Sequence, residues 1–319
     1  DSNNIDINND SEISVQEIEN IESIYIDSRY SVKSLEGLQY AKKLTIFSCY
    51  INSNNINLSL EPLYNLPNLK ELSIYVYTNE GFDMSILSNF KYLENLYIYG
   101  NIKNEYALWN YTQLKILTIN LNADIDFNGI QNLNNLENLY IEINSNSNTI
   151  FDLNLIANMT KLQNFRINGQ ITNKQVFNNL QQITDLTLTD AYIVDLDFLE
   201  NLINLRSLTL TKNKITDISK LSNLTNLRYL NLRNNPININ SDENQKTYDE
   251  LIKNGAYIEI DKYDESEIIT IPDAGLKECL LNCNIDTNND DEISIQEMQK
   301  IQYLNIYSNY EIRSLEGLQ

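Results

Sequence analysis

The 319-residue chain carries 44 acidic against 23 basic side chains, a formal net charge of −21, and contains no histidine. That balance argues against nucleic acid or anionic lipid as a partner, and without imidazole no Ser-His, Cys-His or histidine-metal arrangement can form. Eight Gly and four Pro exclude collagen-like and Pro-rich classes, and no apolar run reaches the roughly eighteen residues of a membrane span.

In chain order, the first motif is Asp6–Glu17, D-I-N-N-D-S-E-I-S-V-Q-E. It matches the spacing of a calcium loop of the helix-loop-helix kind. Asp6, Asn8 and Asp10 supply side-chain oxygens at positions one, three and five, Glu12 a carbonyl at seven, and Glu17 a bidentate carboxylate at twelve. The departure is Ser11, where the pattern wants a glycine for positive φ. A vestigial loop held by Asx turns is the alternative. Residues 1–20 are expected to form this loop and an N-terminal cap.

From residue 21 onward one pattern repeats. A first strand is expected over Ile21–Ile26, and the strand apolar position recurs at Ile24, Leu44, Leu72, Leu96, Leu117, Leu139, Phe165, Leu186, Leu208 and Leu230. Most intervals are 20 to 24 residues. The two longer ones, 44 to 72 and 139 to 165, carry INSNNINLSLEPLYN and SNSNTIFDLNLIAN, expected to bulge outward or from an edge. An asparagine column runs through Asn101, Asn122, Asn144, Asn213 and Asn235, with Cys49 read as its substitute.

The pattern is clearest in Asn201–Pro236, where Leu205-x-x-Leu208-x-Leu210-x-x-Asn213-x-Ile215 is repeated 22 residues later from Leu227 to Ile237. This is the leucine-rich-repeat signature. Alternation puts Leu208 and Leu210 on one side of a strand and Thr209 on the other, and the asparagine side chain satisfies backbone groups that the following turn leaves open. One coil cannot bury its own leucines, so the repeat implies stacking. The expected fold is α/β: a leucine-rich-repeat solenoid of about ten coils over 21–237, with a parallel sheet on its concave face and a cap at each end.

On that reading the outward strand positions can be counted off coil by coil. Coils eight and nine show Thr187, Thr189, Thr209 and Thr211, which are good strand formers and need no ligand. Coils one to six gather Tyr25, Phe47, Tyr75, Tyr97, Tyr99 and Tyr140, with Thr45 central in coil two. Tyrosine offers contact area and a hydrogen bond at small entropic cost, so these six are the candidate partner-binding residues. The competing explanation is strand propensity in a chain holding 21 tyrosines.

Residues 238–261 read as a C-terminal cap: a helix within TYDELIKNGAYIEI closing on Gly255, then a last strand Tyr257–Ile260. Residues 262–319 read as a hinge, Lys262–Ile268, and the start of a second module. Asp273 caps a short helix after Pro272, and Cys279 and Cys283 lie four apart on it as small apolar residues. Asp286–Glu297 then repeats the calcium loop, with Asp286, Asn288, Asp290, Glu292 and Glu297 as ligands, Asp291 at the glycine position and Ile293 as an apolar plug. Residues 1–39 align without a gap on 281–319, with 21 identities, and both end in SLEGLQ. The chain is a tandem array with neighbouring modules of its own kind, and calcium is its one expected cofactor, in a structural role.

The runs IPDAGLKECLL, DTNNDDEISIQE, IQYLNI and SLEGLQ resemble the N-terminal opening of bacterial cell-surface leucine-rich-repeat proteins. The coils NLTNLRYLNLRNNPI and NKITDISKLSNL look like the internalin kind, and the calcium loops resemble those of EF-hand and dockerin modules. The resemblance implies an exported or cell-surface bacterial protein with an adhesive, non-catalytic role and a protein or glycan as ligand. Two other readings stay open: an intracellular regulatory scaffold built from the same coil, and a calcium-dependent assembly module.

Overall fold

The structure is a computed structural model that describes residues 5–8, 10–30, 32–121, 125–143, 149–239, 241–261, 268–283, 285–286, 291–299, 301, 303–304 and 311–318. The chain divides into two compact units, Asp1–Asp185 and Leu186–Gln319.

The first unit opens with the short helix α1 (Val15–Ile18) and is built on parallel strands β1 (Ser23–Ile26), β2 (Ile46–Ile51), β3 (Glu71–Val76), β4 (Asn95–Gly100), β5 (Ile116–Leu121), β6 (Asn138–Ile143) and β7 (Asn164–Asn168). Each pairs with the next, so spatial order equals chain order. The register aligns Ile24, Phe47, Leu72, Leu96, Leu117, Leu139 and Phe165 across neighbouring strands. From Phe47 onward these residues are at most 1% exposed. Parallel strands need a crossover between them. Here each return runs mostly through 3-10 turns such as Met84–Asn89, Glu105–Asn110 and Lys174–Asn179 rather than full helices. Inside this unit Trp109, Phe127, Phe151, Phe165 and Phe177 form a chain of rings with successive centroids 5.1 to 6.3 Å apart. Gly100 closes β4 at φ +102°, and a Cβ there would lie 2.0 Å from the Val76 carbonyl oxygen. The neighbouring backbone leaves room for hydrogen only.

The second unit carries β8 (Asp185–Thr189, whose first residue belongs to the first unit), β9 (Ser207–Thr209), β10 (Tyr229–Asn231) and β11 (Tyr257–Glu259). Leu208, Leu210, Leu230 and Leu232 are fully buried, as their spacing requires. Asn213 is 2% exposed. Its side-chain oxygen accepts from the backbone N–H groups of Ala191 and Ile193 at 3.0 and 3.1 Å. Its amide donates to the carbonyls of Leu188 and Leu210 at 2.8 and 3.0 Å. Asn235 repeats this, accepting from Ile215 N–H and donating to Leu210 and Leu232. Helix α2 (Asp242–Lys253) ends the coils, starting five residues before the expected helical stretch. It closes as anticipated on Gly255 at φ +92°, with Ala256 N–H donating to the Leu251 carbonyl at 3.0 Å. That six-to-one bond is the Schellman closure, and β11 then pairs in parallel with β10.

Beyond it, α3 (Ala274–Asn282) is capped by Asp273, whose carboxylate accepts from Leu276 N–H at 2.8 Å and also from Arg313 and Ser314 N–H. Ile271, Leu276, Leu280, Ile285 and Ile293 form a separate small core. Cys279 is buried there and Cys283 is half-buried. Residues 262–267 of the expected hinge lie outside the described residues, as do 302, 305 and 306 of the expected strand Ile301–Ile306, whose described positions 301, 303 and 304 are not in a strand.

Three expectations are corrected. In coil two the strand apolar position is Phe47, paired with Leu72, and Leu44 belongs three residues earlier in the motif. Cys49 therefore pairs with Ile74 inside the core and is not part of the asparagine column. Burial pushes its thiol up to about 12. The two long intervals are not bulges: Leu58, Leu60, Leu63, Phe151, Leu153 and Ile156 all point into the core. Apolar spacing of three and two residues occurs twice in AKKLTIFSC, as Ala41–Leu44–Ile46 and as Leu44–Phe47–Cys49, and only stacking against Leu72 selects one register. Asn122 and Asn144 lie outside the described residues; Asn101 is half-buried and donates to the Thr78 carbonyl at 3.0 Å.

Candidate binding site

The solvent side of the first unit's sheet is ordered in columns. The central column reads Tyr25, Ser48, Ser73, Tyr97, Thr118, Tyr140 and Arg166 from β1 to β7. Two residues further along, from β2 to β7, it reads Tyr50, Tyr75, Tyr99, Asn120, Glu142 and Asn168. Like side chains in register on parallel strands are held one strand spacing apart, close to the stacking distance of aromatic rings. Tyr50 and Tyr75 accordingly stack at 4.6 Å between centroids, and Tyr75 and Tyr99 at 4.6 Å with planes 3° apart. Tyr77 adds a fourth ring, 5.6 Å from Tyr50 and nearly coplanar in tilt.

The ladder stops at Tyr99 because the next side chain in its column is Asn120. In the central column Thr118 likewise leaves a gap between Tyr97 and Tyr140. The result is a depression of about 370 Å³ lined by Tyr97, Tyr99, Thr118, Ile119, Asn120, Tyr140, Ile141, Glu142, Arg166 and Asn168. Asn120 donates to the Glu142 carboxylate at 2.5 Å. Partial burial raises the pKa of all three tyrosine hydroxyls, with a further rise from a neighbouring carboxylate: Glu71 at Tyr97, Glu142 at Tyr99 and Asp185 at Tyr140. Arg166 opposes this at Tyr140. These hydroxyls stay protonated at neutral pH and can donate hydrogen bonds.

Of the six candidates, Tyr75, Tyr97, Tyr99 and Tyr140 meet on this face. Phe47 does not: it is fully buried, because the coil-two register places it in the leucine column. Its outward neighbours are Ser48 and Tyr50 in place of Thr45 and Phe47, and Tyr50 is the ring that the sequence reading missed. The alignment Tyr50–Tyr75–Tyr99 was available once coil two was placed correctly. Tyr25 is 65% exposed and pairs with Ser48, apart from the other rings.

The first calcium-like loop is turned by its own side chains. Asp6 accepts from Asp10 and Ser11 N–H at 3.1 and 2.9 Å, Asn8 from Asp10 N–H, and Asp10 from Glu12 N–H. Glu17 leads with Ser14, whose hydroxyl and N–H donate to one carboxylate oxygen at 2.7 and 2.8 Å, and Ile7 N–H donates to the other. These bonds lower the Glu17 pKa to about 2, the Ser14 hydroxyl contributing most. Ser11 has φ 67° and Asp291 φ 63°, so both residues at position six adopt the conformation for which the loop pattern uses glycine. In the second loop Asp286 accepts from Asp291 N–H, Glu297 makes the same bonds with Ser294, and Glu292 is ion-paired to Lys277 at 2.8 Å. Asn288 and Asp290 lie outside the described residues. Among the described residues no three Asp, Glu or Cys side chains converge as a metal-holding group. The oxygen donors and the backbone turn fit calcium; Glu17 and Glu297 are turned back onto the helix start. Ile293 is fully buried as expected for the plug, while its counterpart Ile13 is 49% exposed.

Residues 203–243 match a family model described as leucine-rich repeats, two copies. No curated protein is similar enough in sequence to match. Among solved structures, the chain is similar to an internalin (inlF) of Listeria monocytogenes: 24% identity, TM-score 0.54, 78% of this chain and 85% of that one covered. Internalin C2 of the same organism is 22% identical with TM-score 0.35, over 78% and 84% of the two chains. A leucine-rich-repeat protein of Leptospira interrogans is 16% identical with TM-score 0.42, over 78% and 80%. Repeat spacing, strand register and the internalin comparison agree on one architecture: the chain has the fold of a leucine-rich-repeat solenoid.

Proposed function

We propose that the chain is a non-catalytic binding module of an exported or cell-surface protein, and that its partner docks on the tyrosine-bearing sheet face of the first unit. The carrying observation is that Tyr97, Tyr99 and Tyr140 line one depression on an otherwise regular sheet, with Tyr75 and Tyr50 stacked in line with Tyr99. Stacking alone accounts for the ladder, but it does not account for the gap at Thr118 and Asn120 between Tyr97 and Tyr99 on one strand and Tyr140 on another. The similarity in fold to an internalin supports the placement outside the cell, and among the described residues no helix is long and apolar enough to cross a membrane. With surface proteins captured on the immobilised chain and the strongest binder purified, Tyr97→Ala combined with Tyr140→Ala should weaken binding at least ~tenfold. Thr187→Ala combined with Thr209→Ala should leave it unchanged. Dependence on the threonines and indifference to the tyrosines would overturn the reading.

We infer further that the two acidic loops bind calcium in a structural role, through Asp6, Asn8, Asp10, Glu12 and Glu17 and through Asp286, Asn288, Asp290, Glu292 and Glu297. The positive φ of Ser11 and Asp291 supports it, since the turn that calcium loops require is already made. Titration calorimetry with calcium at about millimolar concentration should show one or two sites, and the melting temperature should rise against a chelator control. No heat and no shift would mean that hydrogen bonds alone hold the loops.

A further inference from the structure

The depression on the sheet face has an electrostatic character that its aromatic lining does not require. One carboxylate, Glu142, stands in its wall beside Tyr99, and two more, Glu71 and Asp185, lie near enough to Tyr97 and Tyr140 to raise the pKa of their hydroxyls. Their hydrogen-bond partners are neutral donors. Asn120 donates to Glu142, Asn95 to Glu71 at 3.3 Å, and the Thr184 hydroxyl to Asp185 at 2.6 Å. Among the described residues none of the three is in an ion pair, whereas Glu94, on the neighbouring margin, is held by both Lys70 and Lys115. Among the described residues the one cation lining the depression is Arg166.

A tyrosine face carries negative quadrupolar charge, and rings set around a gap attract a cation more strongly than a neutral group of the same size. Glu142 in the wall, with Glu71 and Asp185 nearby, adds to that field, and partial exclusion of water lessens its screening. Opposite charge on a partner is also what a chain of net charge −21 draws in from a distance. Asn120, Asn168 and Thr118 bring side-chain oxygens to the lining that can accept from the N–H groups of the same side chain.

We propose that the depression bounded by Tyr97, Tyr99, Tyr140 and Glu142 is a specificity pocket for a lysine or arginine side chain of a protein partner. It rests on the reading of this face as a docking surface and names the chemistry recognised there. Arg166 limits the pocket on one side, so a single basic side chain enters between Tyr97 and Tyr140.

The test uses the intact chain labelled with fluorotyrosine and capped alanine pentapeptides with a central arginine, lysine, acetyl-lysine or citrulline, followed by fluorine NMR. The arginine and lysine peptides should shift the ring signals of Tyr97, Tyr99 and Tyr140, with Kd below about 10 mM at low salt. Acetyl-lysine and citrulline should bind at least ~tenfold more weakly. Glu142→Gln, an exposed change that leaves the rings in place, should weaken the basic peptides, as should raising salt to about 0.5 M; Asp249→Asn on α2 should not. Equal binding of citrulline and arginine, occupancy by a neutral oligosaccharide such as cellotetraose in place of the basic peptides, or no shift at all would each overturn the proposal. If Tyr97→Ala with Tyr140→Ala abolishes binding of a captured partner while no basic peptide shifts the rings, the docking surface stands and the basic pocket falls.

Discussion

Glu17 shows how much a single side chain can be asked to do. Its two oxygens take the Ser14 hydroxyl, the Ser14 and Ile7 N–H groups and, at 3.4 Å, Asn8 N–H, closing loop onto helix. These donors favour the charged form and bring its pKa from 4.5 down to about 2. Because the folded value is the lower one, the stabilisation is complete above pH 4.5. It drains away as pH falls from 4.5 towards 2, where the folded form also takes up the proton. Following the Glu17 carboxyl carbon by NMR through acid titration should therefore give a midpoint near 2, and Glu17→Gln should remove that part of the acid transition. A midpoint at the ordinary carboxylate value would mean that the loop is open in solution.

At the scale of the element, the coil is held as much by its asparagine as by its leucines. Asn213→Ala would strand the N–H groups of Ala191 and Ile193 and the Leu188 carbonyl in a buried turn, while the Leu210 carbonyl keeps its bond from Asn235. Each stranded group costs about 1–3 kcal/mol, so the substitution should cost at least ~3 kcal/mol in chemical denaturation. Asn101→Ala, where one half-buried bond to Thr78 is lost, should cost about 1 kcal/mol. Equal costs at the two positions would show that the ladder is not the source of coil stability. The spacing L-x-x-L-x-L-x-x-N made Asn213 and Asn235 legible before any coordinates, since a short amide carries two N–H donors and an acceptor oxygen on separate atoms. The same spacing misplaced Cys49, because coil two offers two apolar triplets and local sequence does not rank them.

For the whole molecule, charge is the property with the plainest consequence. A net charge of −21 on one chain repels itself, and repulsion is greater in the folded state, where the charges are closer. Raising salt from about 20 mM to about 0.3 M shortens the Debye length from roughly 20 Å to below 10 Å. The melting temperature should rise accordingly. A fall would mean that attractive pairs such as Lys70–Glu94–Lys115 outweigh the repulsion.

Periodicity by itself determined the architecture: repeated leucines at strand spacing, with a turn asparagine, admit a stacked parallel sheet and little else. The left-handed turns at Ser11 and Asp291, the Asp273 cap and the Gly255 closure could also be read from single residues. Those features depend on neighbours in the chain, within the reach of local geometry. Tertiary structure alone decided which face Phe47 takes, that Tyr50 joins Tyr75 and Tyr99, and that Thr118 and Asn120 open a gap among rings. Each of those depends on the register between strands some 21 to 26 residues apart. A shift of one residue there turns every side chain to the opposite face, and only packing of one coil against the next supplies the energy that forbids it.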